Sequence, residues 1–270
     1  MDKCFNNLTT VNIELTNRCN KDCWMCGRRK VDRDYPEIAL NYGDMEFELV
    51  ESIAKQLPDS IVVQLHNNGE PLLYPRFKEA ASLFTRQIRC MDTNGKLIVE
   101  KANEIIDNLD TLTISTFEKD KDQEEQYKLI KEFLKIKGPR KPNVIIRCLG
   151  EMDLTRYKDL GCIVATRILH SPMGSFSYKK NPTIPEIGVC LDFLNHMVIR
   201  RDGKVSICVR FDPKGLGIIG DCNSTALADI WNGSQRGQWL KKHIEGRRKE
   251  VALCNGCEFW GVPTGQQKIQ

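Results

Sequence analysis

Thr10-Val11-Asn12-Ile13-Glu14-Leu15-Thr16, followed closely by Cys19-Asn20-Lys21-Asp22-Cys23-Trp24-Met25-Cys26, decides how this chain is read. The first stretch alternates apolar and polar side chains, the period of a β-strand. The second places three thiols within eight residues, so a strand delivers a cysteine cluster at its carboxyl end. Soft thiolate sulfur suits iron–sulfur clusters or zinc. Structural zinc normally takes four protein ligands. Three cysteines leave one metal position open, as a cofactor that binds iron requires. A zinc knuckle completed by a distant ligand is the alternative. Unrelated core cysteines fit poorly in a loop so rich in Asn, Lys, Asp and Arg.

Outward from this stretch, short β-like runs recur at 61–65, 88–91, 112–115, 144–148 and 163–168. Helical patterns lie between them over 45–57, 75–87, 96–109, 121–137 and 153–160. The first of these has Gly43-Asp44 as an N-cap signal and Pro58 beyond its end. Alternating β/α units predict an α/β fold with a parallel sheet and right-handed connections. A complete eight-fold barrel takes about 250 residues, whereas this pattern stops near residue 170. The expected core is therefore a partial (β/α)6 TIM-like barrel over residues 1–170, with ligands at the carboxyl ends of its strands. Residues 171–187 are rich in Pro, Gly and Ser and read as a linker or active-site loop. Residues 188–260 read as a small C-terminal domain, and 261–270 as a polar tail. In that domain His196–Arg201 and Lys204–Val209 flank Asp202-Gly203, a two-residue hairpin signal. A helical region over 224–245 follows, broken near Gly233.

With 270 residues and 41% hydrophobic content the chain is long enough for one large domain and a small appendix. The net charge of +4 is spread along it. The basic runs Arg28-Arg29-Lys30, Arg140-Lys141 and Arg247-Arg248-Lys249 read as solvated faces, against a nucleic-acid partner. No apolar stretch approaches the roughly 20 residues of a membrane span, and Met1-Asp2-Lys3-Cys4 lacks a signal-peptide core. The expectation is a cytoplasmic protein with no membrane association. Twelve cysteines in a reducing compartment point to metal sites or catalysis rather than disulfides.

A second set is formed by Cys190, Cys208, Cys254 and Cys257. Cys254-Asn255-Gly256-Cys257 alone is ambiguous between zinc, redox and cluster roles. Joined by Cys208 at the end of a hairpin strand and Cys190 before it, four sulfurs can saturate one [4Fe–4S] cluster. Zinc is the alternative.

The C-x3-C-x2-C run of Cys19, Cys23 and Cys26 resembles the signature of the radical S-adenosylmethionine (SAM) superfamily. That resemblance implies a [4Fe–4S] cluster whose open iron chelates SAM, and a 5′-deoxyadenosyl radical that abstracts a substrate hydrogen. Asn68-Gly69-Glu70-Pro71 resembles the family's Gly-Gly-Glu-Pro element, which contacts the SAM amino group. Asn68 departs from the family's glycine, and Asn is the residue expected to replace Gly at a backbone position with positive φ. Thr93-Asn94-Gly95 ends the third strand, as often in the family. The resemblance also assigns SAM contacts to Met25, Ser115 and Arg147, with Gly150-Glu151 closing the fifth strand. The C-terminal region resembles a twitch domain, the shortened form of the SPASM domain, and implies an auxiliary [4Fe–4S] cluster on Cys190, Cys208, Cys254 and Cys257. Cys222 reads as a non-ligand. In length, two-part layout and spacing of the auxiliary cysteines, the chain resembles the aminocyclitol dehydrogenases of the superfamily.

A fully ligated second cluster accepts an electron more readily than it binds substrate. This favours two-electron oxidation of a secondary alcohol on a small polar molecule, an aminocyclitol or sugar. The first barrel strand lies at the start of the sequence, so no leader-peptide-binding domain is expected, and this expectation also favours a small-molecule substrate. The alternative is modification of a short peptide by thioether crosslinking, residue oxidation or epimerisation. Cys222, Cys148 and Cys90 are spare thiols for a hydrogen donor, or simply small core residues. A non-enzymatic iron–sulfur or zinc module is a third reading. Alcohol oxidation needs a proton acceptor, for which His66, His170, Glu118 and Asp120 are candidates. Arg210 suits an anionic or hydroxyl-rich substrate. An electron donor such as flavodoxin or ferredoxin is the expected protein partner.

Overall fold

The computed structural model describes residues 5–169, 171–177 and 189–257. Six strands alternate with helices: β1 (Thr10–Ile13), β2 (Val62–Gln64), β3 (Ile88–Thr93), β4 (Thr111–Phe117), β5 (Asn143–Leu149) and β6 (Ile163–Arg167). Each pairs in parallel with its sequence neighbour, which gives the α/β, partial-barrel sheet expected from the alternation. The connecting helices are α1 (Gly27–Asp34), α2 (Phe47–Gln56), α3 (Phe77–Ser82), α4 (Ala102–Ile105), α5 (Gln123–Lys137) and α6 (Thr155–Lys158).

Both faces of β1 are buried. Val11, Ile13 and Leu15 lie in the main apolar core with Ile53, Phe77 and Phe133 from the helices. Asn12, Glu14 and Thr16, which alternate with them, are also buried, at 4%, 1% and 2% exposure. Buried polar groups need partners, and these side chains set the polar interior described below.

The C-terminal strands extend the same sheet rather than forming a layer of their own. β7 (His196–Ile199) pairs in parallel with β1, and β8 (Lys204–Ser206) and β9 (Ile218–Asp221) follow antiparallel. The sheet order is β6-β5-β4-β3-β2-β1-β7-β8-β9. The β7–β8 hairpin has a three-residue loop in place of the expected two-residue one. The Arg200 N–H donates to the Lys204 carbonyl at 2.9 Å, and Gly203 takes φ +84°. A left-handed third loop position is what glycine permits. α7 (Leu191–Asn195) precedes the hairpin, and α8 (Leu227–Trp231), α9 (Ser234–Ile244) and α10 (Ala252–Asn255) follow it. The break between α8 and α9 falls at Gly233, as expected.

Two local expectations are corrected. Asp44 does not cap α2, whose N-cap position is Glu46; Asp44 bridges to Thr16 and pairs with Arg18. Arg28-Arg29-Lys30 is not a solvated run but the start of α1, with Arg28 only 3% exposed. Among the described residues no helix is long and apolar enough to cross a membrane.

Candidate active site and cluster-binding cysteines

The β1–α1 loop holds Cys19, Cys23 and Cys26. The Cys26 N–H donates to the Cys23 carbonyl at 3.0 Å, and Cys26 is the N-cap residue of α1, where the helix dipole favours negative charge. Asn94 Nδ2 donates to the Cys19 sulfur at 3.7 Å, and Arg29 donates to the carbonyls of Cys19 and Lys21 at 3.3 and 3.2 Å. Arg28 sits behind the loop, donating to the Asn17 carbonyl. Burial works to lower its pKa, but the Cys19 and Cys26 sulfurs outweigh burial and raise it. The Cys23 thiol is pushed up to about 12, first by burial and further by Cys26 and Cys19, against Lys21. Burial and the neighbouring sulfurs disfavour the Cys23 thiolate, and a bound metal would supply the positive charge that stabilises thiolate ligands.

The Asn68-Gly69-Glu70-Pro71 turn lies against this loop. A Cβ on Gly69 would fall 2.4 Å from the Thr16 carbonyl oxygen and 2.7 Å from that of Arg18, so only glycine fits there. The Glu70 N–H donates to the Arg18 carbonyl at 2.7 Å, locking the turn to the cysteine loop. The Glu70 carboxylate accepts from Thr93 Oγ1, Asn94 N–H and Leu72 N–H at 2.8, 2.8 and 3.2 Å. Burial nonetheless raises its pKa above the ordinary value, since it outweighs these bonds. Asn68 is not at positive φ, contrary to expectation. Its backbone and side-chain N–H groups donate to Glu14 Oε1 at 3.2 and 2.9 Å, so it stands in the glycine position because it satisfies a buried carboxylate.

A cavity of about 680 Å³ opens at the strand ends and is lined by Cys23, Met25, Cys26, His66, Asn68, Asp92, Arg147, Cys190 and Arg210, among others. Met25, Asn68 and Arg147, assigned as cofactor contacts, therefore share one space. Gly69, Glu70 and Pro71 form the turn beside it, and Ser115 sits opposite Arg147 in register on β4. The Met25 carbonyl accepts from Ser175 Oγ at 2.8 Å. His170 lies outside the described residues.

Asp92, which the sequence reading passed over, is the hub of this cavity. His66 Nε2 is 3.3 Å from its carboxylate, and Arg147 donates to the same oxygen. The Asp92 N–H donates to His66 Nδ1 at 3.1 Å. Burial would raise the Asp92 carboxyl, but His66 and Arg147 outweigh it and hold it well below the usual range. Both nitrogens of His66 are thus engaged, which fixes it as a positioning group. His196, also unanticipated, lines the same space. Its Nε2 is 2.5 Å from Asn12 Oδ1, and Asn12 Nδ2 donates to the His66 carbonyl at 2.8 Å. Arg167 completes the basic side of the cavity with Arg147 and Arg210. Position was the only signal available for Asp92 and His196: one precedes Thr93-Asn94-Gly95, the other opens the hairpin. Glu118 and Asp120 are not in this cavity. Glu118 accepts from Glu151 N–H at 2.7 Å, and Asp120 is paired with Lys21, both about 3% exposed, at 2.5 Å.

Cys190, Cys208 and Cys254 gather on a small apolar cluster of Phe193, Ile207 and Val251, and the Cys257 N–H donates to the Cys254 carbonyl at 3.3 Å. The Cys190 N–H donates to His243 Nδ1 at 3.4 Å, the Arg210 N–H to the Cys208 sulfur at 3.5 Å, and Arg248 to the Cys254 carbonyl at 2.9 Å. Burial, then Cys257 and Cys190, push the Cys254 thiol up to about 12, and burial raises Cys208 further still. Cys222 and Cys148 pack into the main core instead. Among the described residues no three His, Cys, Asp or Glu side chains are drawn together as tightly as a single ion requires.

Residues 190–258 match the SPASM family, described as an iron–sulfur cluster-binding domain. No curated protein matches the chain by sequence. Among solved structures, BtrN in complex with AdoMet and 2-DOIA is 19% identical, with a TM-score of 0.64 over 93% of this chain and 92% of BtrN. Streptococcus suis SuiB bound to its precursor peptide SuiA is 15% identical, with a TM-score of 0.60 over 93% of this chain and 71% of SuiB. SuiB bound to S-adenosylmethionine gives 13% identity and a TM-score of 0.60 over 95% of this chain and 72% of SuiB. These likenesses bear out the fold that the radical SAM resemblance implied. Residues 190–258 thus match a family of iron–sulfur cluster-binding domains, within a chain whose fold is like that of BtrN and SuiB.

Proposed function

We propose that this chain is a radical SAM oxidoreductase that dehydrogenates a secondary alcohol on a small polar substrate such as an aminocyclitol or sugar. The observation that carries the reading is that Cys23 and Cys26 of the first set and Cys190 of the second line one cavity. When bound, a [4Fe–4S] cluster with SAM supplies the 5′-deoxyadenosyl radical, and the auxiliary [4Fe–4S] cluster supplies an electron acceptor. Cys19, Cys23 and Cys26 hold the first group, and Cys190, Cys208, Cys254 and Cys257 the second. Glu70 supports the fit: it is a buried carboxylate with no Lys or Arg ion partner among the described residues, suited to an ammonium group such as that of SAM.

Asp92 and Arg147 present a charged, hydrogen-bonded pair to a hydroxyl-rich ligand. The match to BtrN, solved with 2-DOIA, favours a small substrate. The match to SuiB, solved with a precursor peptide, supports the second reading, a peptide-modifying enzyme. A cytoplasmic setting goes with this reading, because a reducing thiol pool suits twelve cysteines read as cluster ligands and core residues.

Deuterium tracing separates the readings. A ring-deuterated aminocyclitol or sugar that passes its label into 5′-deoxyadenosine supports the first. Label transfer from a deuterated peptide alone, with none from any cyclitol or sugar, replaces it with the second.

A further inference from the structure

Cys23 and Cys26 line a second cavity, of about 300 Å³, which shares no other lining residue with the larger one. Its character is different. Six Lys or Arg side chains line it against three Asp. Lys21 and Asp120 cancel as a buried pair, Asp122 pairs with Lys96 at 2.9 Å, and Asp22 lies 3.5 Å from Arg29. Lys30 and Arg33 share Asp34 at 3.1 and 2.7 Å. Lys119 and Lys121 are exposed, and among the described residues neither has a carboxylate within ion-pair distance.

Between these lysines and the cysteines stands Trp24, an exposed large aromatic (40%). Its indole N–H donates to the Glu118 carbonyl at 3.1 Å, its ring meets the edge of Phe176 at 4.9 Å, and the Lys119 ammonium lies 6.0 Å from its centroid. A rigid exposed aromatic flanked by cations has the make-up of a protein-interface anchor with steering charge around it.

We propose that this face docks an acidic one-electron donor protein, which passes its electron to the iron held by Cys19, Cys23 and Cys26 while the larger cavity keeps cofactor and substrate. The inference rests on the radical SAM reading for the identity of that iron. The balance is simple: the reduced donor loses one electron, the iron site gains it, and no bond or proton moves. Contact at Cys23 and Cys26 is what favours a redox protein over another polyanion, because electron transfer weakens steeply with distance.

The test uses the full chain, reconstituted anaerobically, with flavodoxin as the acidic donor. Flavodoxin binds the unaltered protein and the complex weakens with added salt. The Lys119→Glu/Lys121→Glu variant binds it about ten-fold more weakly, and flavodoxin-driven formation of 5′-deoxyadenosine falls in step. Dithionite-driven formation, which needs no docking, stays unchanged. The milder Lys119→Gln/Lys121→Gln variant gives an intermediate loss and guards against misfolding. Flavodoxin affinity equal in all three proteins overturns the proposal, as does tighter, lysine-dependent binding of a single-stranded oligonucleotide. Absence of dithionite-driven product in the unaltered protein would count against the radical reading instead, and the binding measurement is read independently of it.

Discussion

Asp92 and His66 clasp each other through backbone and side chain at once: the Asp92 N–H donates to His66 Nδ1 at 3.1 Å, and the Asp92 carboxylate lies 3.3 Å from His66 Nε2. The imidazole is held as an acceptor at one nitrogen and a donor at the other, so it fixes where Asp92 and its partner Arg147 face the cavity. Replacing His66 by Ala strips both bonds and destabilises the fold by about 1–3 kcal/mol. Urea unfolding of His66→Ala against the unaltered protein measures it, and an unchanged midpoint would sink the assignment.

Gly69 makes a sharper prediction about the cysteine loop. A methyl at this position meets three backbone atoms of residues 16–18 at 2.4–2.8 Å, none of which is the end of a flexible side chain. Gly69→Ala is expected to cost about 1–3 kcal/mol and to lower the iron retained at Cys19, Cys23 and Cys26. Iron analysis on a background lacking Cys190, Cys208, Cys254 and Cys257 reads that site alone. Full iron retention would show that the turn and the loop are not coupled.

His196 predicts a pH dependence. Burial first, and His66 after it, lower its pKa from 6.5 to about 4, against the raising effect of Asp192. The fold holds it neutral, while the unfolded chain takes up a proton below 6.5. The unfolded state therefore binds more protons in the window from 6.5 down to about 4, and stability falls as the pH drops through it. The contribution is at most about 3 kcal/mol. His196→Gln, which keeps a donor for Asn12, should flatten that slope in urea unfolding. An equal slope in both proteins would refute it.

The strand–cysteine alternation at 10–26 was legible because period and chemistry agree there, and the partial barrel followed from it. The polar side of β1 was not, because Asn12 and Glu14 read as solvent-facing until strands on both sides close over them. α1 was hidden in Arg28-Arg29-Lys30: a charge run predicts exposure, whereas Arg28 is buried against the Asn17 carbonyl, the Tyr42 ring and the sulfurs of Cys19 and Cys26. Asp92 and His196 lie 26 and 130 residues from His66, and no local pattern announces that β2, β3 and β7 bring all three into one cavity. The hairpin was legible as a unit, but its parallel docking on β1 is a long-range pairing with no local signal.

One measurement bears most directly on the whole account: 5′-deoxyadenosine formed from SAM and dithionite by the anaerobically reconstituted protein. With both sites filled the chain should carry about eight irons, and changing Cys19, Cys23 and Cys26 to Ala should remove about half of them and all of the product. Formation of 5′-deoxyadenosine that depends on those three cysteines is the predicted result. A protein with both clusters verified that forms none would contradict it.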